Sequence, residues 1–290
     1  MKIIYSIFLF IIITLFMLLK KSNKKQNVLL WLFLTLTILL AYNVLSSYIL
    51  TLINLKSTLL NLTIFNILIS CIMAFKLYKD KEIQKYYVKI IDIIFLVLLL
   101  ILVIGIAYKQ YGFPFKIKYE TTDPGVHYEA AKNFYEQKVL LFKGEQTSYY
   151  GYETFMPTAY VNTGILMDLA PNSLNVVDLY QVYILFDLIM LYLMGAVFYF
   201  ALINTQTSKI SEKVVAIILS IVFIIGYPLN SMLFGFAYLS AGILMITGIL
   251  LAARFVRNRE MNIYITSIVL FFLMYRCILL ILSICTSRIF

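Results

Sequence analysis

Long apolar runs, separated by lysine clusters or polar turns, dominate the pattern of this chain. Ile3–Leu19, Val28–Ile53, Leu59–Phe75 and Ile90–Tyr108 fill the first third. After a long polar stretch come Leu179–Ile203, the short run Val214–Gly226 that stops at Tyr227-Pro228, then Leu229–Ala253 and Ile263–Leu282. A helix needs roughly 20 apolar residues to cross a hydrocarbon layer about 30 Å thick, so the pattern predicts about eight spans. Ile3–Leu19 is slightly short, and a signal peptide is the competing reading. The basic residues follow this run instead of preceding it and no small-residue cleavage site appears, which favours a retained span.

The pattern changes between Lys109 and Asp178. Asp123 suits a helix N-cap, Pro124 the first helical position and Gly144 a C-cap, which predicts a helix over Pro124–Lys143. Within it Tyr128, Ala131, Tyr135, Val139 and Phe142 recur every three or four residues and form one apolar face, with Glu129, Lys132, Asn133 and Glu136 away from it. An aromatic loop, Tyr149-Tyr150-Gly151-Tyr152-Glu153-Thr154-Phe155-Met156-Pro157, leads to a second, apolar helix over Thr158–Leu169 and a turn at Pro171-Asn172-Ser173. Both helices are expected to lie along a membrane surface. The expected organisation is a four-span region, 1–108, a loop of about 70 residues, 109–178, and a region of about four spans, 179–290. The fold class is an all-α polytopic membrane protein.

Composition agrees. The chain is 62% hydrophobic and 13% charged, with a mean hydropathy of +0.92, whereas a soluble domain has roughly 45–50% apolar and 25% charged residues. The net charge of +10 therefore points to loop placement and not to nucleic acid. Lys20, Lys21, Lys24 and Lys25 follow the first run, Lys76, Lys79, Lys81, Lys85 and Lys89 the third, Lys209 and Lys213 the fifth, and Arg254, Arg257 and Arg259 the seventh. These alternate turns are expected to be cytoplasmic. The long loop has six lysines, eight acids and no arginine, and by alternation lies outside. Cys71, Cys277 and Cys285 are an odd number without ligand spacing, which argues against a disulfide framework or a metal site.

The chemistry-bearing residues crowd into Tyr119–Phe142, which holds the single histidine, His127, and the carboxylates Glu120, Asp123 and Glu129. From spacing alone Asp123 reads first as a cap. His127 lies one turn further along the same side, and Glu120 is three residues before Asp123. Glu120, Asp123 and His127 are candidate ligands for a divalent cation such as Mg or Mn, although two carboxylates and one imidazole make a thin set. Tyr149 and Tyr152 are candidates for stacking on a ligand ring, with interfacial anchoring as the plain alternative. Asn230, in the break at Tyr227-Pro228-Leu229-Asn230, is a candidate polar contact for a ligand, and a tight turn is the alternative. Lys116 and Lys118 could attract a phosphate or simply be solvated. Asp187 interrupts the fifth run, where a carboxylate is costly and often functional.

Thr122-Asp123-Pro124-Gly125-Val126-His127-Tyr128-Glu129-Ala130-Ala131 resembles the first outer loop of bacterial members of the GT-C class of integral-membrane glycosyltransferases. Gly226-Tyr227-Pro228-Leu229-Asn230 with Phe234-Gly235-Phe236-Ala237-Tyr238-Leu239 resembles a second segment of such proteins. The resemblance covers roughly Tyr108–Tyr275. It implies inverting transfer of a sugar from a polyprenyl-phosphate carrier to a hydroxyl of a cell-envelope glycan or lipid, at the outer face of a bacterial plasma membrane. It further implies Asp123 as the base that takes the hydroxyl proton, with Glu120, His127, Tyr149, Tyr152 and Asn230 around the substrates. Two departures stand out: in this chain the loop follows the fourth run and not the first, and the chain is shorter than such enzymes. Residues 276–290 also change in style, and permitted codons for them read one base along as Phe-Ser-Tyr-Tyr-Leu-Phe-Val-Pro-Val-Val-Phe. The expectation is a frameshifted, truncated chain. A transporter or flippase for a lipid-linked or small solute, or an inactive fragment, are the alternatives.

Overall fold

The computed structural model describes residues 1–20, 23–113, 122–140, 157–171, 176–203, 207–230 and 242–252. Nine helices occupy most of them: α1 (Lys2–Leu18), α2 (Val28–Leu52), α3 (Leu59–Asp80), α4 (Ile90–Tyr111), α5 (Thr122–Gln137), α6 (Pro157–Leu169), α7 (Val176–Leu202), α8 (Ile210–Asn230) and α9 (Gly242–Ala252). The described residues are all-α, apart from two short strands, β1 (Gln26–Asn27) and β2 (Tyr86–Tyr87), paired in parallel.

Among the described residues four helices are long and apolar enough to cross a membrane: Val28–Leu52, Leu59–Asp80, Ile90–Tyr111 and Leu179–Leu202. Their surfaces agree with that role. α3 exposes Ile64, Leu68, Ile72 and Phe75, and α4 exposes Val97, Ile101, Ile104 and Tyr108. Such continuous apolar faces are untenable in water and ordinary against lipid. Fewer such helices are found than the eight spans expected. α1 has 17 residues, the described part of the seventh run is the short α9, and Ile263–Leu282 and residues 276–290 lie outside the described residues. The break expected at Tyr227-Pro228 is absent from the backbone, for α8 continues to Asn230. A proline this close to a helix end removes one hydrogen bond and leaves few turns to disrupt.

The lysine-rich turns gather at one end of the bundle. Leu19 bridges to Ile83, β1 pairs with β2, and Gln84 donates through Nε2 to the carbonyls of Lys24 (2.9 Å) and Lys85 (3.0 Å). Asn27 starts α2 there, its Oδ1 accepting from the amides of Leu29 and Leu30. Its Nδ2 donates to Asp92 Oδ2 at 2.7 Å. Asp92 Oδ1 accepts from Tyr199 Oη at 2.8 Å and from Lys213 Nζ at 2.5 Å. One buried carboxylate therefore joins the starts of α2, α4 and α8 to the end of α7. At the opposite end lie the starts of α1 and α3, the ends of α5 and α6 and the start of α7.

α7 is the most enclosed of the spans, and the main core gathers around it from α2, α4, α6 and α8. Gly195 lets α7 approach α4 closely, because an added Cβ would meet Leu99 Cδ1 at 2.9 Å. Some hydroxyls in the apolar helices bond within their own turns, as Thr35 does to Trp31 O (2.7 Å) and Thr37 to Phe33 O (3.0 Å), which satisfies them without water.

Candidate functional site

α5 begins at Thr122, so Asp123 stands inside the first helical turn and not at the cap expected for it. A carboxylate in that turn still faces the positive end of the helix dipole. Asp123 and His127 are four residues apart on this helix and share a face. Their side chains lie outside the described set, as do Glu120, Tyr149, Tyr152, Lys116, Lys118 and the side chain of Asn230. Among the described residues no three His, Cys, Asp or Glu side chains come together as metal ligands.

The apolar face of α5 holds it in place. Ala131 is buried in the main core, with Tyr128 and Tyr135 half-buried against it, and Phe134 is buried in a second cluster with Val161 and Ile165. Phe134 is additional to the stripe expected from the sequence. Glu129 and Glu136 face outward beside Lys132, at 3.9 and 3.8 Å. The helix ends at Gln137, well before Lys143, because Lys138 turns left-handed with φ 60°. The Lys138 carbonyl then accepts from Ser57 N (2.6 Å), and the Leu140 amide donates to Thr51 Oγ1 (3.3 Å). These bonds anchor the end of α5 to the turn between α2 and α3.

α6 is not a surface helix. Residues 159–165 are buried throughout, packed among α2, α5 and α7. Its apolar residues Ala159, Tyr160, Val161, Ile165 and Met167 lie on several sides and leave no wholly polar face for water, which is the reason the surface expectation fails. Asn162 fixes its depth: Asn43 Nδ2 donates to Asn162 Oδ1 (2.8 Å), and Asn162 Nδ2 donates to Leu40 O (3.1 Å). Gly164 lets α5 come close, since a Cβ there would meet Phe134 Cδ1 at 2.6 Å.

Beside the first half of α5, α7 presents aromatic rings and an acid. The Tyr128 ring meets Tyr180 edge-on at 5.2 Å and Tyr183 at 6.0 Å. One turn further along α7 lies Asp187, 1% exposed, whose Oδ2 accepts no hydrogen bond among the described residues. Tyr111, Tyr160 and Tyr180 join Asp187 in the electrostatic surroundings of the Tyr183 hydroxyl. Asp187 lies inside the span Leu179–Leu202, about 12 Å along the helix from the span's first residue. The arrangement is a buried acid near the Tyr111 and Tyr183 hydroxyls, able to accept a hydrogen bond from a hydroxyl. Asp187 was visible in the sequence as a charge in an apolar run; its nearness to Tyr111 was not, because Tyr111 comes from a distant segment.

A second group was not anticipated. Lys138 Nζ approaches Asp168 Oδ2 to 2.5 Å, though not at hydrogen-bond angles, and lies 4.2 Å from the Tyr135 ring centroid. Burial pushes the Lys138 ammonium below the usual lysine value and the Asp168 carboxyl above the usual carboxylate value, each shift opposed by the partner's charge. Their spacing of thirty residues in the chain carries no local signal.

No protein-family model, no curated protein and no solved structure matches this chain.

Proposed function

We propose that this chain transfers a sugar from a polyprenyl-phosphate carrier to an acceptor hydroxyl at the outer face of a bacterial plasma membrane, inverting the anomeric centre. The support is the placement of α5. Its first turn carries Asp123, its Tyr128 docks on α7 above the buried Asp187, and it lies at the end opposite the lysine-rich turns. On the positive-inside rule that end is extracytoplasmic, with about eight spans in the whole chain. A loop there reaches both a lipid-borne donor and a water-borne acceptor of the cell envelope. Asp123 would take the proton of the attacking hydroxyl. His127, on the same helical face, would orient that carboxylate or contact the phosphate; Glu120, Tyr149, Tyr152 and Asn230 complete the candidate substrate contacts.

The test is sugar transfer by the purified full chain from polyprenyl-phosphate sugars, beside Asp123→Asn. The variant keeps the side-chain size and removes the base, so a fall of about 10²-fold or more is expected. Undiminished transfer would return Asp123 to a purely helical role. One observation favours a second reading, a proton-coupled transporter or flippase: Asp187 is buried in a span with an unbonded oxygen. That reading predicts solute uptake into proteoliposomes that Asp187→Asn uncouples from a pH gradient, with no transfer activity.

A further inference from the structure

An open pocket of about 980 Å³ lies between the first turns of α1 and α3, the ends of α5 and α6 and the start of α7. Its polar lining includes Lys2, Thr58, Tyr135, Lys138 and Asp168. Lys2 Nζ donates to the Ala170 carbonyl at the same rim. Two ammonium groups therefore stand over one carboxylate, an excess of positive charge. A second hollow of about 520 Å³ shares Lys2 and Ile3 with the first and continues along α1 past Ile7, Phe10 and Ile11, beside Leu169. From Lys2 to Ile11 the helix rises about 14 Å. A charged rim above an apolar trough matches a phosphate carried on a hydrocarbon chain.

We propose that this pocket seats an anionic lipid, with its phosphate between Lys138 and Lys2 and its hydrocarbon chain laid along α1. The inference rests on the chain lying in a membrane and not on the transferase reading. Thr58 caps the start of α3 at the pocket, bonding the Asn61 amide at 3.3 Å, so the positive end of a helix also faces the headgroup. Asp168 tempers the site by holding Lys138 in place when no phosphate is present. The left-handed backbone of Lys138 (φ 60°) is one that glycine adopts at less cost, so the lysine here supplies charge and not backbone fit.

Native mass spectrometry of the full chain in neutral detergent tests this, with phosphatidylglycerol, phosphatidylcholine of the same chains, and inorganic phosphate as separate probes. Phosphatidylglycerol should bind about ten-fold or more tighter than phosphatidylcholine, the difference expected from charge-assisted bonds to one phosphate. Lys138→Gly should weaken phosphatidylglycerol about ten-fold while keeping the thermal midpoint, since glycine suits that backbone. Lys2→Gln should act in the same direction and serves if Lys138→Gly does not fold. Asp168→Asn should tighten binding, because it removes the competing negative charge. Equal affinity for the two lipids, unchanged binding in both lysine variants, or weaker binding in Asp168→Asn would overturn the proposal. Inorganic phosphate binding as tightly as the lipid would also overturn it, because the trough would then contribute nothing.

Discussion

Lys138 and Asp168 show how position outweighs pairing. They form a close ion pair, yet burial is the largest influence on each, and it favours the neutral form of both. The consequence for Asp168 has a definite sign. Its carboxyl holds a proton more tightly folded than unfolded, so its contribution to stability is present below the ordinary value of 3.8 and is lost as pH rises through its raised value. In detergent melts of wild type and Asp168→Asn, the advantage of wild type should therefore shrink as pH is raised from about 4, then level off. An advantage that grew with pH would mean the attraction to Lys138 and Lys2 outweighs desolvation. Nothing in the sequence announces this pair, since Lys138 falls inside the first expected helix of the loop and Asp168 near the end of the second, with an aromatic loop between them.

The helices divide sharply by how far their own sequence determined them. α2, α3, α4 and α7 fall close to their expected bounds, because a long apolar run has few alternatives in lipid. α5 was expected as an amphipathic helix, and Ala131 and Tyr128 do face the core, but its end was misplaced by six residues relative to Lys143. There the bond from Ser57 to Lys138, a tertiary contact, stops the helix before the glycine that local rules select. The depth of α6 was illegible for the same reason: α2 supplies two partners, Asn43 and the Leu40 carbonyl, that draw Asn162 inside. The α5–α6 contact can be probed at Gly164. Gly164→Ala should force the buried Phe134 ring aside and cost about 1–3 kcal/mol, read as a lower thermal midpoint of the detergent-solubilised chain. An unchanged midpoint would show that the ring moves freely. Of the candidate site, the sequence made Asp123, His127 and Asp187 visible one by one; that Tyr111 comes near Asp187 is visible only after folding.

Taken together, the helices form a bundle with two unlike ends. One carries α5, α6 and the lipid pocket. The other is closed by Asp92, whose two oxygens collect Asn27, Tyr199 and Lys213 away from solvent. Breaking such a cluster from one side is expected to cost more than removing its charge altogether. Lys213→Met should destabilise by about 3–5 kcal/mol, because Asp92 is left as a buried uncompensated charge. Adding Asp92→Asn should recover most of that loss, since the neutral amide can still bond Asn27 or Tyr199. Denaturation of the three proteins in detergent checks this, and a single variant costing under about 1 kcal/mol would show that water reaches the cluster.

Asp92 and Lys213 are separated by 121 positions along the chain. A ribosome adding about 5–20 residues per second delivers the lysine roughly 6–24 s after the aspartate. For most of that interval Asn27 is made and Tyr199 is still to come, so Asp92 has only one of its three eventual partners. The cluster at this end can be completed only when α8 emerges, which makes Lys213 the last of its members to arrive.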